Sequence, residues 1–116
     1  MKFRVHLREN GGIAGLERTL DLEGTTLRVL DRGKVRIEKV LPATVIEDVV
    51  NRAEALAHAE PKRNYGSAGY MSDPLTTELE IVTDSKDLEV EVVSDPQDPA
   101  PPQFWQFVKG LHLLTR

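Results

Sequence analysis

The sequence predicts an α+β domain of two layers, an antiparallel sheet of four to six strands with two helices packed on one face. Three observations predict it. Apolar and polar residues alternate with period two in several short runs, the pattern of half-buried strands. Two longer segments carry apolar residues at helical spacing. Clusters of Gly, Pro, Asp and Asn separate the runs.

The first run is residues 2–8, with Phe3, Val5 and Leu7 on one face and Lys2, Arg4, His6 and Arg8 on the other. Leu16 to Leu22 reads as a second strand, weakened by Arg18, which interrupts its apolar side. Residues 26–30 and 34–38 alternate about the short connection Asp31-Arg32-Gly33, a hairpin signal. Their β-branched content favours strands over a helix.

Pro42 suits a first helical turn, where its missing N–H costs nothing. Val45, Ile46, Val49, Val50, Ala53, Leu56 and Ala57 then recur at helical spacing, predicting a helix over 43–59 that Pro61 stops. Residues 61–74 read as a loop. Leu75 to Thr83 and Leu88 to Val93 form the strongest hairpin, joined by Asp84-Ser85-Lys86-Asp87. Four of the seven prolines fall within residues 95–102, which excludes regular helix or central strand there. The last helix spans 102–114, with Phe104, Trp105, Phe107, Val108, Leu111 and Leu114 as a wide apolar stripe anchoring the core.

Charge predicts part of the sheet order. Lys2, Arg4 and Arg8 make the outward side of the first strand basic, while Glu78, Glu80, Glu89 and Glu91 make the late hairpin acidic. The glutamates repel if paired only with one another. The first strand is therefore expected beside that hairpin, so that opposite charges meet across strands.

Composition narrows function. The 116 residues fit one domain, 1–116, long enough to bury a core. A net charge of -4 argues against nucleic acid, which calls for a basic stripe. Without cysteine there is neither a disulfide framework nor a thiolate zinc site. The alternating start lacks the continuous apolar stretch of a signal peptide, and no run reaches membrane-spanning length. A cytoplasmic protein, not associated with membrane, is the expectation.

Catalytic constellations do not assemble from spacing. His6, His58 and His112 are dispersed and carry no metal-ligand spacing, so surface histidine is the commoner reading. Ser67 sits among glycines but lacks the G-x-S-x-G elbow. Both glycine-rich phosphate-binding motifs are missing. Asp84, Asp87, Asp95 and Asp98 do not fit a calcium loop, and turn acids are ordinarily turn formers. The expectation is a non-enzyme without cofactor or metal.

Two irregular segments remain. Asn10-Gly11-Gly12-Ile13-Ala14-Gly15 holds three glycines in five residues, more than a hairpin needs, with an isoleucine at its centre. Glycine clusters mark backbone that bends sharply or approaches something closely. The 61–74 segment carries Tyr65 and Tyr70, and tyrosine is enriched at interface hot spots. Connection geometry explains such loops as readily as recognition does. The functional reading is a binding module whose loops sit on a rigid scaffold.

Met1-Lys2-Phe3-Arg4-Val5 leading into Asn10 to Gly15 resembles the start of the emfourin (protealysin inhibitor) family. The tail is similar too, with Tyr70 to Val93 as paired strands, Ser94-Asp95, a proline-containing linker and a terminal helix. Where that family often has Ser-Gly-Gly-Phe, this chain has Asn10-Gly11-Gly12-Ile13, and residues 24–40 look longer than usual. The resemblance implies a small cytoplasmic bacterial inhibitor of thermolysin-like metallopeptidases, notably of the protealysin type. It implies that the glycine loop enters the peptidase cleft, offering Ile13 or Leu16 to the pocket just after the scissile bond. Asn10, Gly11, Gly12, Ile13, Ala14, Gly15 and Leu16 would then be the partner-binding residues, with Tyr65 and Tyr70 as a flanking contact surface. The zinc belongs to the enzyme. A non-inhibitory interaction domain on the same fold stays open, as does an enzyme site assembled from scattered histidines and acids.

Overall fold

The computed structural model describes residues 3–12, 15–66, 74–84, 86–94 and 98–116. Its strands are β1 (Arg4–Gly11), β2 (Leu16–Glu23), β3 (Thr26–Asp31), β4 (Lys34–Val40), β5 (Asn64–Tyr65), β6 (Leu75–Val82) and β7 (Asp87–Val93). Helix α1 (Ala43–His58) follows β4, and α2 (Pro102–Leu113) follows β7. All the strands join one sheet in the order β4-β3-β2-β1-β6-β7-β5.

The α+β class holds, while the sheet corrects the expectation of four to six antiparallel strands. It has seven, and β5 pairs with β7 in parallel. Two residues inside the 61–74 segment are too few for a period-two pattern to register.

Register follows the hydrophobic alternation. Val5 lies opposite Leu22 and Ile81, and Leu7 opposite Leu20 and Leu79. These rows continue through Leu27 and Val29 on one side and Val90 on the other. All of these residues are buried. Val49, Val50, Ala53 and Leu56 from α1, with Phe104, Phe107, Val108 and Leu111 from α2, complete the same core. Full burial of one such side chain stabilises by about 1.5–3 kcal/mol, so this shared face dominates the fold energetically. Trp105 departs from the expected stripe. It stays 42% exposed while Phe104 is fully buried, the two rings meeting edge to face at 4.9 Å.

The charge-based sheet order is found. β1 lies between β2 and β6, with Arg8 opposite Glu78 and His6 opposite Glu80. Arg8 Nη1 comes to 4.0 Å from Glu78 Oε2. Glu78 and Glu80 also face Glu91 and Glu89 on β7, so the basic strand stands on one flank of a like-charged ladder. On the same face one row crosses five strands, with Arg28 and His6 interleaved between acids: Glu38, Arg28, Asp21, His6, Glu80.

The turns are specific. Gly24, at φ 61°, supplies the left-handed residue of the β2–β3 connection. Arg32 and Gly33 both have positive φ, 50° and 80°, as a two-residue type I′ hairpin requires. The β3–β4 pairing shifts register between Val29 and Leu30. Val29 faces Ile37 and Leu30 faces Val35, which leaves Arg36 as the extra residue of a bulge.

Candidate functional site: the glycine loop at the sheet end

β1 and β2 are central strands, so Gly11 and Leu16, where they are joined, lie in the middle of one sheet end. Strand pairing carries into the glycine segment: Asn10 faces Glu17 and Gly11 faces Leu16. On the other side Asn10 faces Thr76 and Gly11 faces Leu75. The first part of the segment is thus held between two strands before the chain leaves the sheet.

Gly11, Gly12 and Gly15 all take positive φ, at 99°, 74° and 62°. Side-chain-bearing residues rarely adopt such angles, which is the physical reason for three glycines in five residues. Gly11 meets a second demand. A Cβ there would lie far inside contact distance of the Pro74 carbonyl oxygen and 3.3 Å from its carbonyl carbon. Only a residue without a side chain lets β1 and the entry to β6 approach so closely.

Hydrogen bonds fasten the loop from three directions. Gly12 N–H donates to Pro74 O at 3.2 Å, Gly15 N–H donates to Gly12 O at 3.1 Å, and Arg32 Nη2 donates to Gly15 O at 2.7 Å. Arg32 N–H also donates to Glu17 O at 2.9 Å. The two irregular segments singled out by sequence therefore meet, because Pro74, the last residue of 61–74, holds Gly12. The contribution of the β3–β4 turn through Arg32 was invisible in sequence, since only strand register brings residues 15 and 32 together.

Ile13, Ala14 and Tyr70 lie outside the described residues. Leu16 is half-buried at the first position of β2. Tyr65 is buried, its hydroxyl accepts the Lys62 backbone N–H at 2.9 Å, and Lys62 Nζ lies 4.8 Å from its ring centre. Tyr65 thus anchors β5 to the core. The neighbouring chain is tied down by Asp98, whose carboxylate accepts from Gly66 N–H at 2.8 Å and from Lys62 Nζ at 3.0 Å. These bonds, the backbone donor first, hold the Asp98 carboxyl below the ordinary carboxylate range.

The scattered histidines do not converge. His6 faces Asp21 on the sheet face away from the core, Nδ1 to Oδ1 3.6 Å, and beside it Arg4 donates to Asp21 at 3.2 Å. That bond and the Asp21 charge raise the Arg4 pKa further. His112 is on the other face, its Nε2 2.8 Å from Glu9 Oε1. His58 is exposed at the end of α1. A shallow depression of 320 Å³ gathers His6, Arg63 and the four glutamates of β6 and β7 on the open face. Among the described residues, no group of three or more His, Asp or Glu is arranged to hold a metal ion. No helix among them is long and apolar enough to cross a membrane.

Glu9 completes the description of the helix-covered face. It sits in the core-facing row, 9% exposed, and takes Arg18 Nη2 at 3.2 Å as well as His112. Arg18, the interruption in the second strand's pattern, therefore answers Glu9, the matching interruption in the first.

No family model, curated protein or solved structure matches the chain.

Proposed function

We propose that this protein inhibits a thermolysin-like metallopeptidase by inserting the loop of residues 10–15 into the active-site cleft. The observation that carries the reading is the way the loop is held. Three left-handed glycines narrow it, and paired strands, Pro74 and Arg32 fasten it at both ends. Loop ends fixed before binding reduce the conformational entropy lost on entering a cleft, which is how tight inhibitors gain affinity. Glycine backbone permits close approach, and Ile13 supplies the apolar side chain such enzymes prefer after the scissile bond. The likeness of the glycine segment and element order to the emfourin family supports the same assignment, with a cytoplasmic protealysin-type enzyme as the target.

The test is titration of the purified protein into thermolysin and protealysin-type assays, with Ile13→Asp in parallel. Inhibition below micromolar concentration, lost in Ile13→Asp, is the expected result. No inhibition across several enzymes of the class overturns the assignment. Full inhibition by Ile13→Asp shows that the loop is not the anchor. Binding without inhibition would instead identify an interaction domain on this fold.

A further inference from the structure

Type I′ turns are occupied at least cost by Asn-Gly, Asp-Gly or Gly-Gly, because both central residues need positive φ. The β3–β4 turn has Arg32-Gly33, with Arg32 at φ 50°. Arginine gains nothing from that backbone conformation, and left-handed geometry strains any residue with a Cβ. A strained non-glycine residue at a loop end is a reason to ask what its side chain does. Here the Arg32 guanidinium reaches across to the glycine loop and donates to Gly15 O at 2.7 Å. Its own N–H bonds Glu17 O at 2.9 Å. One exposed residue therefore grips the backbone on both sides of Leu16, where the loop rejoins the sheet.

The opposite end is gripped differently. Gly12 N–H bonds Pro74 O, and Gly11 has no room for a side chain there. Contact at the Pro74 end is backbone on backbone and would persist under most substitutions. At the Gly15 end the Gly15 N–H bonds Gly12 O within the loop, and the Gly15 carbonyl is held from outside the loop by the Arg32 side chain.

We propose that Arg32 is the positioning residue of the glycine loop: its guanidinium holds the Gly15 carbonyl and so fixes where the loop rejoins β2. The proposal rests on the reading of this loop as the peptidase-binding element. It also explains the residue choice, since an asparagine would relax the turn but could not reach Gly15 as a charged fork does.

Arg32→Asn separates positioning from simple structural support. A residue kept for the stability of its turn should lower Tm when replaced. Arg32→Asn should instead leave Tm unchanged or raised. It should weaken inhibition about five- to tenfold, the effect of losing one charge-assisted hydrogen bond at an exposed site. Backbone order parameters of Gly12 and Gly15, by nitrogen-15 relaxation, should fall towards the flexible range of below about 0.6. Arg32→Lys should recover part of both. Unchanged inhibition and unchanged loop order in Arg32→Asn overturn the proposal. So does a fall in Tm that accounts for the lost inhibition without recovery by lysine. If the unsubstituted protein inhibits no peptidase, the inhibitor reading fails by itself. The relaxation measurement then decides the clamp: a loop still ordered in Arg32→Asn overturns it, and a loosened one upholds it.

Discussion

Gly11→Ala tests the packing beneath the loop. Two costs add. The first is backbone strain: φ at this residue is 99°, outside the range an alanine adopts comfortably, which costs about 1–2 kcal/mol. The second is the clash of the new methyl with the Pro74 carbonyl. Backbone cannot swing aside as a flexible side chain can, so β1 and the entry to β6 must separate. The Gly12 N–H to Pro74 O bond then breaks, at about 1 kcal/mol. The sum is about 2–3 kcal/mol, a large share of the 5–15 kcal/mol typical of a domain. It corresponds to a fall in Tm of about 8–12 °C for a chain of this size.

Gly12→Ala is the internal control. It has a similar backbone requirement, φ 74°, but among the described residues beyond its chain neighbours no atom lies within 4 Å of its added methyl. It should cost only the strain, about 1 kcal/mol. Urea unfolding followed by circular dichroism measures both variants. A difference between them of under about 0.5 kcal/mol, within the scatter of such measurements, would refute the claim that close approach to Pro74 requires glycine.

Two further outcomes are expected. The Asp98 carboxyl titrates below its ordinary value of 3.8 because Gly66 N–H and then Lys62 favour its charged form. The linked stability is present above that value and is lost as pH falls through the folded-state pKa. Following the Gly66 amide and Asp98 shifts by NMR should thus give a midpoint below 3.8, and a midpoint at or above it contradicts the assignment. Glu9→Ala should destabilise by about 1–3 kcal/mol in urea unfolding, since it strips the half-buried Arg18 and His112 of a shared carboxylate. The estimate is discounted because those side chains are 40% and 31% exposed. Arg18 Nε already lacks a partner, so loss of Glu9 has no local compensation. A change under about 0.5 kcal/mol, the usual size for an uninvolved surface position, would refute it.

Most of the frame was legible because alternation and helical spacing act over many residues. The pairing of β1 with β6 was readable as well, from the basic outward side of the first strand and the four glutamates of the late hairpin, since stacked like charges favour an opposite charge alongside. Other features depended on register. Arg18 looked like a flaw in a strand until hairpin pairing put it across from Glu9. The signal was present, as two charged residues breaking two apolar rows the same number of positions from the turn. Trp105 was also readable in principle. Phe104, Phe107, Val108 and Leu111 already fill the helix's inward stripe, and its neighbour in sequence falls about 100° away from Phe104. The burial of Tyr65 was not legible, because nothing local marks β5 as a strand. At the candidate site the glycines announced themselves, whereas Arg32 did not. Its role comes from a contact spanning two hairpins.

The bulge at Arg36 bears on how the sheet behaves towards other molecules. A central loop is useful only if the sheet holding it stays a single copy, and an open β edge invites neighbours to add strands. At one margin β4 pairs irregularly and carries Lys34, Arg36 and Lys39, although Val35 and Val40 are exposed there. At the other margin β5 offers only two residues. The bulge and the positive charges discourage edge-to-edge stacking at the β4 margin, whereas β5 covers β7 only at Glu91 and Val92.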